Sequence, residues 1–98
     1  MKEAEKEVKK SVEIWDKLGE ALDNLHARGV IKMLRAKNEW TAKRVEDKLA
    51  ELDSRYFQVI WGLEEKYNKP IKKLLEEENQ ETIEKLESLI KLFERTKF

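Results

Sequence analysis

Between residues 38 and 63 the chain places Asn38, Ala42, Val45, Leu49, Leu52, Tyr56, Val59 and Leu63 at gaps that alternate four and three without a slip. That period is the seam of a long helix packed against other helices, and it cannot belong to a strand, whose side chains alternate every second residue. With 3 glycines and 1 proline in 98 residues, few positions can interrupt such a helix. Each breaker therefore marks a candidate turn.

The first expected helix runs over about residues 2–27, with Val8, Val12, Trp15, Leu18, Leu22 and Leu25 on one face. Gly29 follows Arg28 and suits the left-handed cap of a helix end, with Val30 as the apolar residue behind it. The second helix then spans about 30–67 and is the longest. Asn68-Lys69-Pro70 ends it, since proline disfavours helix at the preceding residue and fits the first turn of the next. The third covers about 70–96, with Ile71, Leu75, Asn79, Thr82 or Ile83, Leu86, Leu89 or Ile90, and Phe93 as its seam. Short connections make successive helices antiparallel. The expected architecture is one all-α domain over residues 1–98, a three-helix antiparallel bundle with coiled-coil-like packing and a long central helix. Simple hairpin geometry sets Gly19 near Trp40, Leu52 near Leu86, Leu49 near Leu89 and Val45 near Phe93.

Charge constrains function more than fold. There are 21 basic and 21 acidic residues, so no global field draws the chain to nucleic acid or to an anionic membrane. The absence of cysteine excludes disulfides and thiolate metal sites. The charged start, MKEAEKEVKK, lacks the apolar core of a signal peptide, and no apolar run reaches the ~20 residues that span a bilayer. A cytoplasmic location with no membrane association is the expectation. The Glu/Lys-rich helical composition also suits a thermostable protein or a de novo designed scaffold.

Locally the charges are segregated. Residues 26–44 carry Arg28, Lys32, Arg35, Lys37, Lys43 and Arg44 against Glu39 alone. Residues 76–87 carry Glu76, Glu77, Glu78, Glu81, Glu84 and Glu87 against Lys85 alone. The two patches either answer each other, within one chain or head to tail between chains, or the first docks nucleic acid or an acidic partner.

No catalytic constellation is visible. Ser11, Ser54 and Ser88 lack a nucleophile-elbow context, and there is no phosphate-binding glycine loop. His26, the single histidine, stands three residues after Asp23, a spacing used by carboxylate-bridged metal sites. Such sites need a second histidine and more carboxylates, so the expected role of His26 is to offset the dipole at a helix end. Neither a metal nor another cofactor is expected, and the chain reads as a non-enzyme.

Binding is the better expectation. Tyr56-Phe57-Gln58-Val59-Ile60-Trp61-Gly62-Leu63 holds more large apolar side chains than one seam can absorb. Tyr56, Val59 and Leu63 continue the seam, which leaves Phe57, Ile60 and Trp61 as a second stripe. A first helix ending near residue 27 would not cover that stripe unless Val8 and Val12 reach it. Uncovered aromatics of this kind mark protein interfaces. Trp40, off the seam and flanked by Lys37 and Arg44, is either a stacking platform or an indole filling the notch at Gly19. The expected function is a non-catalytic protein–protein interaction module or engineered binding scaffold that takes another protein or a second copy through Phe57, Ile60, Trp61 and Trp40. The alternative is a small nucleic-acid-associated protein using Lys32, Arg35, Lys37, Lys43 and Arg44. Residues 45–69, above all Glu65-Lys66-Tyr67-Asn68-Lys69, resemble the dimerisation helix of nucleosome-assembly histone chaperones. That family continues into an α/β histone-binding domain for which this chain has no room, so the resemblance implies a long helix and not histone binding.

Overall fold

The computed structural model describes residues 2–98, with side chains from Glu13 onward, and the chain is an all-α helical bundle. Among the described residues four helices follow in order: α1, Lys2–Arg35; α2, Glu39–Tyr67; α3, Ile71–Glu76; α4, Gln80–Arg95. α1 packs chiefly on α4 and α2.

Two breaks differ from the sequence expectation, and both are set by asparagine. α1 does not stop at Gly29 but continues two turns further to Arg35. Gly29 is a buried helical residue, and no glycine has positive φ. A Cβ at Gly29 would lie 2.6 Å from Leu49 Cδ1, so this glycine serves the close approach of α1 to α2. The turn falls at residues 36–38 instead. There Asn38, in extended conformation, accepts hydrogen bonds from the Thr41 backbone N at 2.7 Å and Thr41 Oγ1 at 2.8 Å. Asn38 is thus an N-cap and not a seam residue.

The expected third helix is likewise two. Asn79 accepts from Thr82 N at 2.9 Å and Thr82 Oγ1 at 3.0 Å, capping α4 in the same way. Before it, α3 closes in a Schellman motif: Asn79 N donates to Leu74 O, and Glu78 N to Leu75 O. Glu78 takes the left-handed position with φ 56°. The break at 67–70 falls where expected. Asn68 ends α2 with φ 51°, and the Glu64 carboxylate accepts from Ile71 N at 2.8 Å to start α3 after Pro70.

The core is one cluster. α1 supplies Ile14, Leu18, Ala21 and Leu25; α2 supplies Val45, Leu49, Leu52, Ile60 and Leu63. α3 adds Ile71, Leu74 and Leu75, and α4 adds Leu86, Leu89, Ile90 and Phe93. Of the expected α2 seam, Val45, Leu49, Leu52 and Leu63 are buried and Tyr56 and Val59 half-buried beside them, whereas Asn38 is exposed. In α1 the buried face is turned by one residue, to Ile14 in place of Trp15. The side chains of Val8 and Val12 lie outside the described residues.

Cross-helix pairs fix the register. His26 Nε2 meets Asp53 Oδ1 at 2.8 Å, Tyr56 packs near Phe93, and Lys66 Nζ bonds Glu81 at 2.7 Å. Arg28 donates to Phe93 O at 2.6 Å and Thr96 O at 2.7 Å, so α1 and α4 run parallel with their C-terminal ends together. Because α1 is longer than expected, Gly19 faces the level of Trp61 and not Trp40. Leu52 likewise lies level with the end of α4 and not with Leu86.

Candidate functional site

The His26–Asp53 contact marks one flank of the α1–α2 seam, and helical phase extends that flank in both directions. On α1 the stripe is His26, Leu22, Gly19 and Trp15; on α2 it is Asp53, Phe57 and Trp61. Trp15 is 39% exposed, Phe57 45% and Trp61 62%. Phe57 and Trp61 stack, with centroids 5.1 Å apart and planes at 27°. Phe57 also meets Tyr56 edge to face at 5.2 Å, and Tyr56 approaches the fully buried Phe93 at 6.4 Å. Four rings thus form a ladder from the core to the surface. Burial raises the pKa of the Tyr56 hydroxyl, which stays protonated in the ladder. Beside the ladder, Gly19 is exposed and has nothing within 4 Å of where a Cβ would stand, so this face is open at that level.

Of the residues expected in this patch, Phe57 and Trp61 are accessible and Ile60 is not. Ile60 is 7% exposed, because the longer α1 covers it. Trp40 is 67% exposed but stands 21 residues before Trp61 on the same helix, roughly 30 Å away along its axis. It belongs instead to the basic end of the bundle, where the Arg44 guanidinium carbon lies 6.0 Å from its ring centroid. Trp15 and Gly19 were missed as members of the aromatic face. Trp15 fits the seam period as well as Ile14 does, and Gly19 acquires its role only from the corrected register.

Lys32, Arg35, Lys37, Lys43 and Arg44 are exposed, and none forms an ion pair among the described residues. The acidic stretch does not answer them. It lies at the opposite end of the bundle, where Glu81 pairs with Lys66 at 2.7 Å and Lys85 at 3.4 Å, and Glu77 with Lys69 at 2.8 Å. Tyr67 also donates to Glu81. The Lys66 and Tyr67 hydrogen bonds hold the Glu81 carboxyl down to about 2 against an ordinary 4.5, and the same carboxylate raises Lys66.

His26 is neither a helix-end cap nor paired with Asp23. It lies within α1, and its partner Asp53 comes from α2. No group of metal-ligating residues occurs among the described residues, and none of their helices is long and apolar enough to cross a membrane. Compared with family models, characterised proteins and solved structures, the chain matches none. The histone-chaperone resemblance of residues 45–69 finds no support there.

Proposed function

We propose that this protein is a helical interaction module that self-associates through the α1–α2 flank carrying Trp15, Phe57 and Trp61. The observation that carries the reading is the aromatic ladder. Phe57 and Trp61 are held by ring contacts that lead to buried Phe93, so their rotamers are fixed before any partner arrives. An anchor ordered in advance loses little entropy on binding, which is how hot-spot aromatics act. Gly19, on the same flank, leaves open space beside the rings.

Three rings at these exposures leave on the order of 300 Å² of apolar surface in water. Burying it on both copies contributes roughly 15 kcal/mol at ~25 cal/mol/Å². The loss of translational and rotational freedom opposes this by about 4–15 kcal/mol. Between about 0 and about 11 kcal/mol remains, a range that includes the ~8 kcal/mol of a micromolar dimer.

Sedimentation velocity across the micromolar range tests the reading. The wild-type chain should pass from monomer to dimer. Trp61→Ala should weaken that step by about 2 kcal/mol with little change in monomer stability, since most of the Trp61 side chain is already solvated. A variant that unfolds while dimerising normally would make Trp61 a core residue and remove the interface.

A further inference from the structure

The cations that the sequence scatters over three helices are gathered by the fold into one track. Between α2 and α4 runs a groove lined by Lys48, Arg55, Lys91, Arg95 and Lys97, with Glu51 as its one acid. At the end of the bundle a second groove is lined by Arg28, Lys32, Arg35, Lys37 and Lys97, with no acid at all. Thr96 and Lys97 line both, so the two grooves adjoin. The overall charge of zero hides this, because it also counts acids at the other end of the molecule, where Glu81 and Glu77 pair with Lys66 and Lys69.

Structural duties account for only part of the track. Arg28 is occupied with the Phe93 and Thr96 carbonyls. Lys32 and Arg35 stand in the last turn of α1 and Arg95 in that of α4, and these C-terminal ends together amount to about one negative charge. Lys37, Lys48, Arg55, Lys91 and Lys97 remain, and among the described residues none of them forms an ion pair. Trp40 lines neither groove but immediately precedes Thr41, which lines the end groove, and it presents a mostly exposed indole with the Arg44 guanidinium carbon 6.0 Å from its ring centroid.

The geometry points to a single-stranded nucleic acid as the occupant of this track, its phosphates following the groove cations and a base stacking on Trp40. A charged groove beside an accessible indole is how single strands are held without sequence readout. An acidic peptide would satisfy the cations but has no use for the Trp40 face. A duplex would keep its bases stacked on one another and away from that face.

The test is fluorescence anisotropy of a labelled oligothymidylate with the full chain at two salt concentrations. About five phosphate contacts give a slope near −3.5 in log affinity against log salt, so raising salt from about 50 to about 200 mM should weaken binding about a hundredfold. The double variant Lys91→Ala/Lys97→Ala should lower that slope by about 1.4. Trp40→Ala should weaken binding about tenfold, and an oligomer of abasic sites should bind wild type and Trp40→Ala alike. These side chains are exposed, so circular dichroism should show every variant folded. A salt-indifferent affinity, or one unmoved by the Lys91/Lys97 double variant, overturns the track. Equal affinity for polyglutamate, or an oligothymidylate affinity unmoved by Trp40→Ala, overturns its assignment to single strands. Trp61→Ala should leave nucleic-acid affinity unchanged, which separates this test from that of the aromatic face.

Discussion

Replacing Gly29 and Gly19 by alanine should move stability in opposite directions, although both sit inside α1. In an open helical position, Gly→Ala stabilises by about 0.5–1 kcal/mol, because alanine loses less backbone entropy on folding. Gly19 is such a position, with nothing within 4 Å of a new Cβ. At Gly29 the same methyl would meet Leu49 Cδ1 at 2.6 Å, with Cδ2 and Cγ both at 3.1 Å. Leu49 is 6% exposed and packed on every side, so it can withdraw only by straining its rotamer or pushing the helices apart. Overpacking of this kind costs about 1–3 kcal/mol. After the propensity gain, Gly29→Ala should lose about 1 kcal/mol net, which places the two variants about 2 kcal/mol apart. Urea melts at one low protein concentration measure this directly, provided that m is unchanged. If Gly29→Ala stabilises as much as Gly19→Ala, α1 does not approach α2 at Leu49, and the register that covers Ile60 is wrong.

Glu78→Gly should raise stability by about 1 kcal/mol, since the left-handed conformation is costly for any residue with a Cβ; thermal melts check it, and a loss would mean that Glu78 does not close α3. Glu81→Gln should cost stability at neutral pH and cost nothing in strong acid. The folded-state pKa of Glu81 lies near 2 against an ordinary 4.5, so its contribution is complete above 4.5 and fades as pH falls toward 2. A difference between wild type and variant that persisted unchanged at pH 2 would contradict the Lys66–Tyr67–Glu81 cluster.

The helical class, the α2 seam and the turn at Asn68-Lys69-Pro70 could be read from spacing, because a heptad run and a proline are local signals. The remaining boundaries depended on what a breaker touches. Gly29 has the composition of a cap, but its function is contact with Leu49, twenty residues away in sequence. The true caps carried a readable sign: Asn38-x-x-Thr41 and Asn79-x-x-Thr82 repeat one motif, in which the asparagine accepts from both the N–H and the hydroxyl of the threonine. The even four-three spacing concealed them by assigning both asparagines to seams. That single displacement of the first turn moved Gly19 from Trp40 to Trp61 and took Ile60 out of the accessible stripe. Phe57 and Trp61 could be picked out because they exceed what one seam can hold. The basic track could not, since its lysines and arginines come from α1, α2, α4 and the segments after α1 and α4, and meet only in the folded bundle.

The most direct test of the aromatic face is the environment of Trp61 as the only tryptophan. Trp15→Phe and Trp40→Phe keep a ring at each site and leave Trp61 as the sole indole emitter. Its emission maximum and its quenching by acrylamide are then followed as protein concentration rises through the micromolar range. Self-association through this face predicts red-shifted, readily quenched emission at low concentration, shifting to the blue and becoming protected as dimer forms. Emission that stays red and fully quenched while sedimentation shows dimer would place the interface elsewhere and contradict the proposed function.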